Sequence, residues 1–464
     1  MSSKTVSEGK AALLENVQQV LAERVSAARA GQARYFAQAF LRRIPSDEIS
    51  DGDPQSIAAS LAGLLKFMAR RPGDDVRIRV YNPTESRDGW TSAHTIIEMV
   101  QVDKPFLVDT ANLVLSELDL GVHIIVHPVI HVQRDKSGRL RGIFPSAEGK
   151  GAPESIMHLQ VDRQNDPKML KTIEQHLNIA MQHVSLAVSD WKLMRERLSE
   201  AADLLPEWAG SCKQELLNEC QDFLTWMRDD HFILLGARDY EVRGDKGSQT
   251  LVLVDGTGLG MLREDPKTIR SRPIATLSDG ALKDRKQPLI ITKTRARSTV
   301  HRGGYMDYIG VLRFDKKGRV LGERRFIGLF TSNAYFRRVS DTPLVRLKVK
   351  EVLDESALRE QSYARKSLVH IIETLPRDDL FQASVAEIRD IAMSVLALME
   401  RQRVRLLVRR EHFNRFYSCL VYIPRDRFST ENREKIQQIL FRAFQGEQLD
   451  FTVQISESRL ARLQ

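Results

Sequence analysis

The chain has 464 residues, 42% apolar and 28% charged, a balance that can bury several hydrophobic cores and excludes a disordered polypeptide. Three cysteines without a CxxC pair exclude a disulfide framework, and no run approaches the roughly 20 apolar residues that cross a bilayer. The net charge of +9 leaves nucleic acid, an anionic partner or a place in a larger assembly open; the start, MSSKTVSEGK, lacks the apolar core of a secretory signal, so the chain is expected in the cytoplasm.

Residues 8–28 carry Leu13, Leu14, Val17, Val20, Leu21 and Val25 at helical spacing, and a second helix runs through Tyr35, Phe36, Phe40 and Leu41. A third opens with Asp53 as N-cap and Pro54 in its first position, with Ile57, Leu61, Leu64 and Met68 as its stripe. From 76 the period becomes two: VRIRVYNP predicts a strand, and another covers about 93–102. In DKPFLVDT, Asp103 is expected to cap a helix with Pro105 in its first turn, closed by Gly121. VHIIVHPVIHV at 122–132 and IMHLQV predict further strands, 167–182 a helix, and VSLAV a closing strand. The order β-α-β-β-α-β is that of a ferredoxin-like unit, one antiparallel sheet with two helices on one face.

Helices fill about 191–229. Short strands with glycine-bearing turns then recur at 231–242, 250–256 and 288–294 and in a pair around DKKG at 315–318, predicting a mostly antiparallel sheet domain. Helices follow at about 343–372 and 384–402, divided by LPRDDLF. RVRLLVRR, FYSCLVYIPR, a helix after Ser429 and Thr430, and LDFTVQIS then suggest a second unit of the first type that stops at Gln464 before completion, so the chain is expected to be a fragment.

None of the 26 glycines falls into G-x-G-x-x-G; Gly256, Gly258 and Gly260 have the wrong spacing for a pyrophosphate cradle and suit a turn in the sheet domain. His123, His127 and His131 would lie about 13 Å from one another along a strand, too far to share a metal. Asp378 and Asp379, between Leu-Pro and an apolar helix, suit capping and a tight turn better than proton transfer. In TKTRARSTVHR at 292–302, a strand would put Lys293, Arg295 and Arg297 on one face, where a solvated or interdomain role outweighs phosphate binding. The first strand-to-helix junction, Asp103 to Thr110, offers helix N–H groups that suit a carboxylate such as that of an amino acid.

The strings VRIRVYNPTESRDGW, DKPFLVDT, DDHFILLGARDYEV, RFIGLFTSNAY, ETLPRDDLFQ and YIPRDRFSTENREKIQQIL resemble, in order over about 30–464, the N-terminal half of the large bacterial NAD-specific glutamate dehydrogenases. The resemblance implies an α+β, multidomain chain: ferredoxin-like ACT-type units flanking a mostly antiparallel PAS-like sheet domain with helical linkers. The divisions expected are 1–75 helical, 76–190 ACT-like, 191–230 helical, 231–340 PAS-like, 341–402 helical and 403–464 ACT-like and truncated. Effector binding in ACT domains maps onto Asp103, Pro105, Phe106 and Asp109, although many ligand-binding members have glycine where Phe106 stands, and a ring there would fill the pocket.

The reaction implied is oxidative deamination of glutamate to 2-oxoglutarate and ammonia with NAD. NAD would serve the full-length enzyme and none would bind this chain, which lacks the Lys-Gly-Gly-type motif of the catalytic lysine and is expected to be inactive alone. Expected partners are the catalytic and C-terminal domains of the same polypeptide, further copies in a homo-oligomer and an amino-acid effector. A freestanding amino-acid sensor is the alternative, and nucleic-acid binding through 292–302 ranks below both.

Overall fold

The computed structural model describes residues 3–44, 53–73, 75–145, 148–244, 249–263, 287–398, 401, 403–455 and 458–464, and divides into two compact units: 1–189 with 297–304, and 190–296 with 305–464.

The first unit opens with α1 (Ser3–Glu23), α2 (Ala30–Leu41) and α3 (Pro54–Met68). As the sequence predicts, the Asp53 carboxylate accepts the N–H groups of Gln55 (3.3 Å) and Ser56 (2.9 Å) at the start of α3. The sheet is built from β1 (Arg77–Tyr81), β2 (Thr95–Val102), β3 (Val122–Val126), β4 (Val129–Arg134), β5 (Leu140–Phe144) and β6 (Ala152–Val161), with the short α4 (Glu85–Asp88), α5 (Leu107–Glu117) and α6 (Pro167–Ser189) between and after them. Its order is β1-β2-β6-β4-β5, with β3 also on β6, and all pairs are antiparallel.

Two features depart from expectation. VSLAV does not form a closing strand; it continues α6 to Ser189, and the outer place beside β2 is taken by β1, from the opposite end of the unit. The single strand expected over 122–132 is two, broken at His127 and Pro128, where proline cannot donate to a ladder. Both faces of the sheet are covered. Val100 and Ile156 join Val17, Phe36 and Leu64 in one core with α1, α2 and α3, while Gln101, on the other face, reaches Met181 of α6. With both sides covered, TIIEMVQV is buried from Thr95 to Gln101 without alternation, polar Thr95, Glu98 and Gln101 included.

The second unit begins with α7 (Trp191–Trp208) and α8 (Gln214–Trp226). Strands β7 (Phe232–Arg243), β8 (Thr250–Leu253), β9 (Leu259–Gly260), β10 (Leu289–Arg297), β11 (Tyr305–Phe314) and β12 (Val320–Phe330) form an antiparallel sheet ordered β10-β11-β12-β7-β8. The helices α9 (Ser332–Phe336), α10 (Val345–Glu355), α11 (Tyr363–Thr374), α12 (Arg377–Gln382) and α13 (Val385–Leu398) follow, and β13 (Arg405–Arg410), β14 (Tyr417–Pro424), α14 (Thr430–Ala443), β15 (Val453–Gln454) and β16 (Leu460–Leu463) close the unit. One aromatic-rich core, including Phe223, Phe326, Phe330 and Phe381, joins sheet and helices; the rings of Phe330 and Phe381 stack with centroids 4.7 Å apart.

The helix expected over 343–372 is two, separated by a turn in which Ala357 takes φ 55° and ended by the Ser362 cap, whose hydroxyl accepts from the Arg365 N–H. The helix expected over 384–402 is described from Val385 to Leu398, and positions 399, 400 and 402 lie outside the described residues. The sequence reading also misses β16, which lies antiparallel to β14 with Ala461 opposite Ile423. Four residues of mixed pattern, Leu460 to Leu463, carry too little periodicity to announce a strand.

Candidate effector site

Strand β2 ends at Val102, yet α5 starts only at Leu107. Asp103 therefore does not cap the helix, contrary to the sequence reading; its backbone N–H donates to Pro153 O (3.2 Å), and its charge partly offsets the burial that lowers the pKa of nearby His127. Pro105 stands exposed before the first helical turn rather than in it. The residue that turns the chain into α5 is Phe106, at φ 73° and ψ 2° and without a side-chain cap. This left-handed conformation suits glycine and costs a side-chain-bearing residue about 1–2 kcal/mol.

Residues 297–304 close this helix start. The His301 backbone N–H donates to Thr110 Oγ1 (3.0 Å), its Nδ1 lies 2.9 Å from the Asp109 carboxylate, and its ring sits 5.1 Å from that of Phe106, centroid to centroid. The segment is shaped for the purpose. His301 has φ 67°, the Ser298 N–H donates to Gly304 O (2.8 Å), and Thr299 Oγ1 lies 2.7 Å from His183 Nδ1 on α6. Gly303 passes so near α5 that a Cβ there would stand 2.9 Å from Leu113 Cδ1.

Of the four residues expected at this site, Phe106 and Asp109 thus meet one partner, whereas Asp103 and Pro105 stand apart from it. Thr110 falls at the end of the stretch singled out in the sequence, but His301 was not foreseen there. His301 lies 192 positions from Asp109, and no local pattern links such a pair.

The other candidates resolve into structural contacts. His123 lies 2.8 Å from the Asp162 carboxylate and stacks on His94, and His127 Nε2 lies 2.7 Å from Ser155 Oγ. Asp379 is buried and paired with Arg409 (2.6 Å), and Asp378 pairs with Lys293 (3.0 Å), so both aspartates are structural, though neither caps a helix. Lys293 also pairs with buried Asp307 (2.6 Å), and the two carboxylates hold it charged against burial. That ammonium is thereby withdrawn from any phosphate. Among the three glycines of the 256–260 turn, Gly260 takes φ 58° and its N–H donates to Asp190 (2.8 Å).

Family models for the glutamate dehydrogenase ACT1 domain, helical motif 1 and ACT2 domain match residues 36–177, 342–401 and 405–464. The chain is 35% identical over 468 residues to the NAD-specific glutamate dehydrogenase of Halomonas elongata, covering 98% of this chain and 29% of that protein. It is 33% identical over 463 residues to that of Pseudomonas aeruginosa, covering 98% and 28%, and 30% identical over 366 residues to that of Mycobacterium tuberculosis, covering 78% and 21%. The chain thus spans less than a third of the length of these relatives.

Proposed function

This chain belongs to the N-terminal region of the large NAD-specific glutamate dehydrogenases, and from that membership we propose that it regulates and assembles an enzyme whose chemistry lies elsewhere on the polypeptide. The reaction is the oxidation of L-glutamate with NAD and water to 2-oxoglutarate, ammonia and NADH. The observation that carries the reading is the run of matched modules, ACT1, helical motif 1 and ACT2, over a stretch equal to 29% of a relative named for the activity. In this reading residues 76–190 and 403–464 are ACT-like, 231–340 is PAS-like, and 1–75, 191–230 and 341–402 are helical connections. The antiparallel order β10-β11-β12-β7-β8 supports the PAS-like assignment. The whole enzyme works in the cytoplasm as a homo-oligomer, with the missing domains of the same polypeptide as partners. The purified 464-residue chain, given glutamate and NAD, is expected to produce no NADH absorbance, and turnover would refute the division of labour.

The start of α5 works in a closed form. His301 occupies the acceptors, the Asp109 carboxylate and Thr110 Oγ1, that the ammonium of an amino acid would take, so Asp103, Pro105, Phe106 and Asp109 meet an amino acid only after residues 297–304 withdraw. Calorimetry with a panel of amino acids is expected to give no heat with the parent chain and saturable heat with His301→Gly, which keeps the left-handed backbone at φ 67° while removing the imidazole. Silence from both proteins would remove the effector role.

A further inference from the structure

The first unit contains a cavity of about 850 Å³ away from the start of α5, and its lining is strongly one-signed. Five cations, Arg24, Arg29, Lys66, Arg79 and Arg87, contribute to it, and the carboxylate among its lining residues is that of Asp88. Asp88 is already engaged, bound to the Arg87 guanidinium (2.9 Å) and accepting the Thr84 N–H (2.8 Å). Arg79 is likewise matched, by the fully buried Glu98 behind it, a carboxylate that Tyr81 Oη (3.3 Å) and His158 Nδ1 (3.3 Å) also approach. The other three are not paired in this way: the Arg24 charge reaches the Asp53 carboxylate without an ion-pair contact among the described residues. Arg24 donates to the neutral amide of Gln55 (3.0 Å), and Arg29 and Lys66 form no ion pair among the described residues.

Arg29 and Lys66, with Arg24 only partly countered by Asp53, set a positive field at the exposed mouth of the cavity, which attracts an anion. Those walls include Leu65, Leu140 and Ile143, so the lining joins positive charge to an apolar surface. The volume falls within the range of small-molecule sites. We propose that this cavity, at the meeting of the α1–α2 connection with α2, α3, α4, β1 and β5, binds a small organic anion of two or more charges, its charged end at Arg24, Arg29 and Lys66 and its carbon skeleton against the aliphatic wall. Two sources share that chemistry, a nucleoside diphosphate and a tricarboxylate, and they differ in the size of the apolar part.

The test is titration calorimetry of the whole 464-residue chain with adenosine diphosphate, with propane-1,2,3-tricarboxylate and with inorganic pyrophosphate, at low and at physiological salt. One of the two organic anions is expected to bind with a stoichiometry of one, more weakly as salt rises. Arg29→Gln combined with Lys66→Gln is expected to weaken it at least tenfold, with Lys136→Gln, an exposed change outside the cavity, as control. Circular dichroism checks that the variants keep the parent fold. Heat from none of the three anions overturns the proposal, as does binding untouched by the double substitution. Pyrophosphate binding as tightly as the better organic anion overturns the role given to the aliphatic wall.

Discussion

Phe106 shows how one residue can be both out of place and needed. Its backbone is left-handed, at φ 73°, while its ring lies against His301. Phe106→Gly removes the strain and the ring together, so the two effects offset and stability should stay within about 1 kcal/mol of the parent. Phe106→Val keeps a side chain, and a β-branched one, at positive φ while losing the ring, so a loss of about 2–3 kcal/mol is expected. Urea denaturation of the two variants ranks them, and the reverse order would make ring contact the larger effect. The sequence marked Phe106 as the position where glycine is common, and the structure shows that the backbone keeps the glycine conformation even without glycine. What could not be read was the partner, because His301 reaches it through folding and not through spacing.

The helix α12 makes the same argument one level up. Six residues cannot hold a helix in water, since nucleation costs more than so few hydrogen bonds return. Its end is held by Lys348, whose ammonium donates to the carbonyls of Leu380 (3.0 Å), Phe381 (2.7 Å) and Ala383 (2.8 Å). Its first turn is held by Asp379, which pairs with Arg409 on β13 and accepts from Ser418 Oγ on β14 (3.0 Å). Arg409→Met leaves a buried carboxylate without its cation and should cost about 3–5 kcal/mol, measured by chemical denaturation. Adding Asp379→Leu should recover most of that loss, and no recovery would mean that the pair contributes little beyond its packing. LPRDDLF announced a break between two longer helices, but not the six-residue helix that fills it. The role of its second aspartate was illegible, because the cation that decides it comes 30 residues later.

Over the whole molecule, long periodic segments were legible: α2, α3, β7, β11, β12 and α14 lie where spacing and caps put them. The readings that failed were short or covered on both faces, as with VSLAV and β16, where alternation carries no information about which side is core. Global stability should also respond to acid in a definable way. Burial lowers the pKa of His127 and His183 below the ordinary 6.5, so as pH falls the unfolded chain protonates them before the folded chain does. Their contribution is complete above about pH 6.5 and is lost as pH drops through the folded values. Thermal melts of the parent from pH 7.5 down to 5 should fall more steeply than those of His127→Gln combined with His183→Gln. Parallel curves would show that other groups govern the acid response.

The closed form proposed for the start of α5 would also set a rule for anything that binds there. An entering molecule competes with a tethered imidazole that is never diluted away, so its apparent dissociation constant equals the intrinsic one divided by the fraction of chains in which that imidazole has swung clear. Each tenfold preference for the shut arrangement weakens apparent affinity tenfold, or about 1.4 kcal/mol. Substitutions in residues 297–304 would therefore tune sensitivity over a wide range without altering a single group that a bound molecule touches.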